Sequence, residues 1–174
     1  MRRYVFSGLL LVFSFTGCNL PSPAVSNHEV EALTQQLQSL DSHISHTEAL
    51  TLSQEIFRTT TQLRQRFERT TPPLIHNFLV NIGIKEKGLC YHWSDALYLH
   101  LTKKHYPSYA FHLVGANIGE YFFEHNALVV IAKKGKIEQG VLIDPWRDRD
   151  RLYFSKLDQD SAYEWHHRPK RGCH

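Results

Sequence analysis

Gly88-Leu89-Cys90-Tyr91-His92-Trp93-Ser94-Asp95-Ala96-Leu97-Tyr98-Leu99 decides how the chain is read, because it puts a cysteine where a loop becomes a helix. From Cys90 onward, Trp93, Ala96, Leu97, His100 and Leu101 recur at helical spacing and predict one buried face. Cys90 then falls in the first turn, where the N–H groups lack partners within the helix and the dipole favours a thiolate. Such a thiol is set to attack a carbonyl once it has a base and a group to orient the base. His125, in Glu124-His125-Asn126-Ala127-Leu128-Val129-Val130, and Asp144, in Val141-Leu142-Ile143-Asp144-Pro145-Trp146, supply one of each.

The region between these two residues predicts a hairpin. His125 to Ala132 reads as a strand, Lys133-Lys134-Gly135-Lys136 as a polar turn and Ile137 to Trp146 as the returning strand. With Lys134 and Gly135 as the two turn residues, His125 stands directly opposite Asp144, close enough for a carboxylate to hold an imidazole N–H. A bulge at Gly140 is the alternative that changes this count. Pro145 cannot donate to the ladder, so the strand ends at the aspartate. Ala110 to Ile118 reads as a further strand.

Upstream, Val30, Leu33, Leu37, Leu40 and Ile44 form a heptad-like seam, and Ser45-His46-Thr47-Glu48 fits a capping box opening a second helix that carries Leu52, Ile56, Leu63 and Phe67. This pair of helices is either an arm for a protein partner or a layer packed on the remaining domain; intramolecular packing is the commoner use of so short a seam. Pro73 opens a third helix with Leu74, Phe78, Leu79 and Ile82 on one face, closed by Gly83. Asn81, and secondarily Asn77, precede the thiol where a side-chain amide would assist the Cys90 N–H in binding an oxyanion.

The N-terminus has a different logic. Arg2 and Arg3 precede an apolar run from Val5 to Phe15 that is too short to span a bilayer and has the flanks of a secretory signal. Phe15-Thr16-Gly17-Cys18 resembles the lipobox of bacterial lipoproteins, with Phe15 where leucine is usual. That resemblance implies cleavage before Cys18, acylation of its sulfur and a lipid anchor in the cell envelope. Asn19 in the next position favours the outer membrane facing the periplasm. Residues 19–27, with Pro21 and Pro23, read as a tether.

Among 174 residues, 42% hydrophobic and 21% charged, there is room for one globular core. A formal charge of +3 without a basic stripe argues against nucleic acid, and the twelve histidines show no ligand spacing, so neither a metal nor another cofactor is expected. Cys18, Cys90 and Cys173 are too few for a disulfide framework. Cys173 could still pair with Cys90 in an oxidising envelope, or join His166, His167 and His174 around a metal.

In order and context, Gly88-Leu89-Cys90, His125-Asn126-Ala127-Leu128-Val129 and Leu142-Ile143-Asp144-Pro145-Trp146 resemble the papain-like and transglutaminase-like superfamily, specifically bacterial transglutaminase-like cysteine peptidases. The resemblance covers residues from about 83 to 165. It implies an α+β fold with the cysteine at a helix N-terminus packed on an antiparallel sheet. It also implies a triad with Cys90 as nucleophile, His125 as base and then acid, and Asp144 as its orienter, acting on a peptide or amide substrate. His92 and His112 are alternative bases, and a buried structural Cys90 is the non-catalytic alternative. The expected organisation is a signal peptide over 1–17, a tether over 18–27, a helical arm over 28–71, a catalytic domain over 72–166 and a basic tail over 167–174.

Overall fold

The computed structural model describes residues 25–67, 72–120, 123–148 and 151–172. The signal peptide, the acylation site Cys18, most of the tether and Cys173 lie outside the described residues. Among the described residues the protein is a mixed α+β structure with four α-helices and one five-stranded antiparallel sheet.

Helix α1 (Asn27–Gln38) starts on a reciprocal capping box between Ser26 and Glu29. The seam expected to run on to Ile44 does not form one helix: α1 stops at Gln38, and Ser39 turns its hydroxyl onto the Gln36 carbonyl. Asp41 then accepts the His43 N–H, and such local side-chain bonds compete with helix continuation. Ile44 reaches the core from this turn instead. Helix α2 (His46–Arg66) begins with Ser45 accepting the Glu48 N–H, but the reciprocal half of the predicted box is missing. The Glu48 carboxylate is engaged by the Ser108 N–H and hydroxyl, at 3.0 and 2.7 Å, and ties α2 to the start of the sheet.

Helix α3 (Pro73–Asn81) has the expected span and an unexpected orientation. Leu74, Phe78 and Ile82, three of the four residues expected to share one face, are exposed, whereas His76 is buried and bonds through Nε2 to the Lys87 carbonyl. Helix α4 (Cys90–Thr102) buries Trp93, Leu97 and Leu101 as its spacing predicts. Gly88, before it, needs to be glycine twice over: its φ is +123°, and a Cβ there would lie 2.1 Å from His76 Nε2.

The sheet consists of β1 (Tyr109–Ala116), β2 (His125–Ala132), β3 (Val141–Asp144), β4 (Tyr153–Lys156) and β5 (His166–His167), in the order β4-β3-β2-β1-β5. Strand alternation divides the side chains between two cores. Leu113, Leu128, Val130 and Ile143 join α1, α2 and α4 in the larger one, so the helical pair is a layer of the main core, with its apolar side turned inward. Val114, Ala127, Val129 and Leu142 form a smaller core on the opposite face with Leu157 and Trp165.

The β2–β3 connection corrects the hairpin. A single 3₁₀ turn occupies Ile137–Gln139, where strand was expected, and Val130 pairs with Val141, Leu128 with Ile143. This register is two residues out of step with a two-residue turn, so Asp144 is a diagonal neighbour of His125 and not its direct partner. A slip of two preserves the face of every side chain, so both residues still point the same way. Gly140 makes the tight return possible: a Cβ there would sit 2.3 Å from Val129 Cγ1 and 2.9 Å from the Val130 carbonyl. Gly140→Ala is expected to lower the unfolding free energy by about 1–3 kcal/mol through overpacking, measurable by urea denaturation. An unchanged midpoint would show that β2 and β3 can part at no cost.

The basic tail expected from residue 167 begins within the sheet. His166 and His167 pair with Gly115 and Val114, and the Arg168 N–H donates to the Leu113 carbonyl. Arg168 is buried, and its guanidinium donates to Asp95 at 2.8 Å and to Ser94 at 3.3 Å, fastening the chain end to α4.

Candidate active site

The site forms where α4 begins and β2 begins. Alternation places His125 on the smaller-core face of β2 and Asn126 on the face covered by α4. Cys90, in the first turn of α4, reaches the start of the strand from the helix side: its thiol donates to the Glu124 carbonyl at 3.6 Å, and Asn126 Nδ2 donates to its sulfur at 3.7 Å. The loop before it is braced by His92, whose Nδ1 accepts the Gly88 and Leu89 N–H groups, both at 3.2 Å. Burial holds His92 towards its neutral form, as that acceptor role requires, with nearby Lys87 acting in the same direction. His92 is therefore a cap and not a base. His112, the other alternative, pairs with Val129 in mid-sheet, its ring against His167.

His125 and Asp144 are joined directly. The ring donates from Nε2 to Asp144 Oδ2 at 2.6 Å, with His125 3% and Asp144 0% exposed. Because the carboxylate only accepts, the proton belongs on Nε2, which leaves Nδ1 as the basic lone pair of a neutral ring. Nδ1 is buried and makes no hydrogen bond of its own. Burial disfavours charge on His125, but the Asp144 carboxylate and then the neighbouring Cys90 outweigh it and raise the imidazole to about 9.

Asp144 is held in turn. Its Oδ1 accepts the Trp146 and Arg147 N–H groups, each at 3.1 Å, and its Oδ2 also accepts Arg147 Nε at 3.0 Å. Burial alone would raise this carboxyl, yet His125 and Arg147 keep it below its ordinary range. Arg147 continues to Asp160 in a two-pronged contact at 3.0 and 2.7 Å and lies over the Tyr153 ring at 3.9 Å. The imidazole is walled by Trp146, Tyr163 and Trp165, with ring centroids 4.9, 4.6 and 5.4 Å away.

His125 and Asp144 are thus joined, with Cys90 near enough to help raise the imidazole, and Asn81 is not among them. Its side chain is exposed at the end of α3, and Asn77 is occupied in accepting Trp146 Nε1 at 3.3 Å. The amide beside the sulfur is that of Asn126, steadied by donating also to Glu124 Oε1 at 3.0 Å. Asn126 was readable in principle, since the residue after a strand histidine projects to the opposite face, where a packing helix must lie. Arg147 and Asp160 had no such signal, because their bonds join separate loops. No protein-family model, curated protein or solved structure matches this chain, so the activity has to be argued from the chemistry of the site.

Proposed function

We propose that this chain is a cell-envelope lipoprotein, anchored through acylated Cys18, whose papain/transglutaminase-like core carries a Cys-His-Asp thiol hydrolase or acyl transferase acting on amide bonds. The observation that carries the reading is the polarity of His125: Nε2 is committed to Asp144, and unbonded Nδ1 is left for the thiol at the start of α4. With the imidazole raised to about 9, Nδ1 already holds the Cys90 proton at neutral pH, and the sulfur attacks the carbonyl carbon as a thiolate. The Cys90 N–H in the first helical turn and the Asn126 amide are the donors available to the oxyanion. The C–N bond then breaks, the departing amine takes the proton from His125, and a thioester remains on Cys90. Water or a second amine, deprotonated by the same nitrogen, attacks the thioester and returns the thiol. The acyl acceptor decides between hydrolysis and transfer, and the substrate class is a peptide or other amide of the envelope.

One feature favours a second reading, a non-catalytic envelope binding module on the same fold: Cys90 is only 6% exposed and the ring beside it is walled by aromatic side chains. Labelling with iodoacetamide at pH 7 separates the two. An activated thiolate at Cys90 is expected to alkylate roughly tenfold faster than Cys173, and the rate should drop in His125→Ala. Equal, slow alkylation of both thiols, unaffected by His125→Ala, would favour the binding module.

A further inference from the structure

The exposed apolar side of α3 is not used by the site. Leu74, Phe78 and Ile82, at successive four-residue steps, are 74%, 60% and 51% exposed, and the helix carries no charged carboxylate, lysine or arginine. Its other side is fixed by buried His76, so the stripe cannot roll inward without losing that bond to the Lys87 carbonyl.

The position of this stripe identifies what covers it. One surface cleft brings Val25 and Ser26, at the start of α1, against Thr60 and Arg64 of α2. Another brings Arg66 and Phe67, at the end of α2, against Ile84 to Lys87, the loop leaving α3. Arg64 and Phe67 are less than one helical turn apart, about 5 Å along the axis. The described chain therefore starts at the same end of the molecule that presents α3. Between Cys18 and Val25 the chain spans at most about 25 Å. An acyl anchor at Cys18 holds this end within that distance of a bilayer. Arg66 and Lys87, both exposed, line the cleft at this end together with the exposed Glu86, so cations stand at the end of the molecule that presents α3.

We propose that α3 is a membrane-contact helix, with Leu74, Phe78 and Ile82 seated in the headgroup boundary of the phospholipid bilayer that carries the anchor. The inference rests on the lipoprotein part of the reading above and not on the triad. Contact there fixes the domain's orientation, so that α3 and Trp146, which it touches through Asn77, lie toward the lipid.

Photocrosslinking tests this on the full acylated chain reconstituted in vesicles of phosphatidylethanolamine and phosphatidylglycerol. p-Benzoylphenylalanine is placed either at Phe78 or at Lys134, which is exposed at the opposite end of α2, about 30 Å away. The expected result is phospholipid adducts at Phe78 exceeding those at Lys134 by about tenfold or more, in protein that floats with the vesicles. Flotation without enrichment at Phe78 would overturn the contact while sparing the anchor. Adducts between two copies through Phe78 would overturn it in favour of self-association. Enrichment at Phe78 that Cys18→Ser leaves unchanged would uphold the contact and overturn the anchor, and neither flotation nor adducts in either protein would sink both.

Discussion

Cys90→Ala is expected to abolish release of ammonia or peptides from an envelope-derived amide substrate, a loss of about a thousandfold or more, because the acyl intermediate of the proposed reaction forms on its sulfur. The substitution removes one buried sulfur and adds no polar group, so the melting temperature should fall only slightly, and loss of turnover will not reflect loss of fold. His125→Ala should be as inactive. The double variant should lose no more than either alone, as groups that act as one unit do. The pH dependence has a definite direction. The folded His125 pKa is raised to about 9, so the proton it holds stabilises the fold fully below the unfolded value near 6.5. That stabilisation is lost as pH rises through about 9. Asp144→Asn removes the strongest cause of the raised value and should shift the alkaline limb of Cys90 alkylation to lower pH. A limb that stays in place in Asp144→Asn would mean that the carboxylate does not govern the ring, and the triad would reduce to a thiol beside an unassisted imidazole.

Much of this site is legible in the sequence, and particular residues show where legibility stops. Cys90, His125 and Asp144 announce themselves because each lies at the boundary of an element, and boundaries follow from local signals: helical spacing after Cys90, an unbroken β-rich run after His125, proline after Asp144. The pairing of His125 with Asp144 survived a wrong turn because strand alternation depends only on parity, and the 3₁₀ turn at Ile137–Gln139 shifts the register by two. Asn81 lies off the site because nearness in sequence to Cys90 says nothing of direction, and α3 is turned so that His76 faces inward and Asn81 outward. Hydrophobic spacing could not foretell that orientation, since a helix whose apolar stripe faces outward has the same pattern as one whose stripe faces the core. Arg168 misled for a related reason: a cation near a chain end resembles a solvated tail until Asp95, 73 positions earlier, is seen to receive it. Long-range polar pairing leaves no periodic trace.

The largest stability effect is expected at Asp144. It lies at 0% exposure and serves two cations and a turn at once, with Oδ2 shared between His125 and Arg147 and Oδ1 between two backbone N–H groups. Asp144→Ala leaves a buried imidazole and a half-buried guanidinium facing a void, and removing one partner of a buried pair costs about 3–5 kcal/mol. Arg147 keeps Asp160, whose carboxyl that guanidinium helps hold down to about 2, so the loss should fall at the lower end of the range. Asp144→Asn retains an oxygen for the turn and should cost less, so the difference between the two variants in urea denaturation isolates the turn from the charge. The acid side follows the opposite sign to His125. The folded Asp144 carboxyl is lowered, so its contribution is complete above the unfolded value near 4 and disappears as pH falls through the folded one. Wild type should therefore lose its advantage over Asp144→Asn on acidification. Should the two denature alike at pH 7, the carboxylate would be a spectator, and a ring held by a spectator has no preferred nitrogen to offer the thiol.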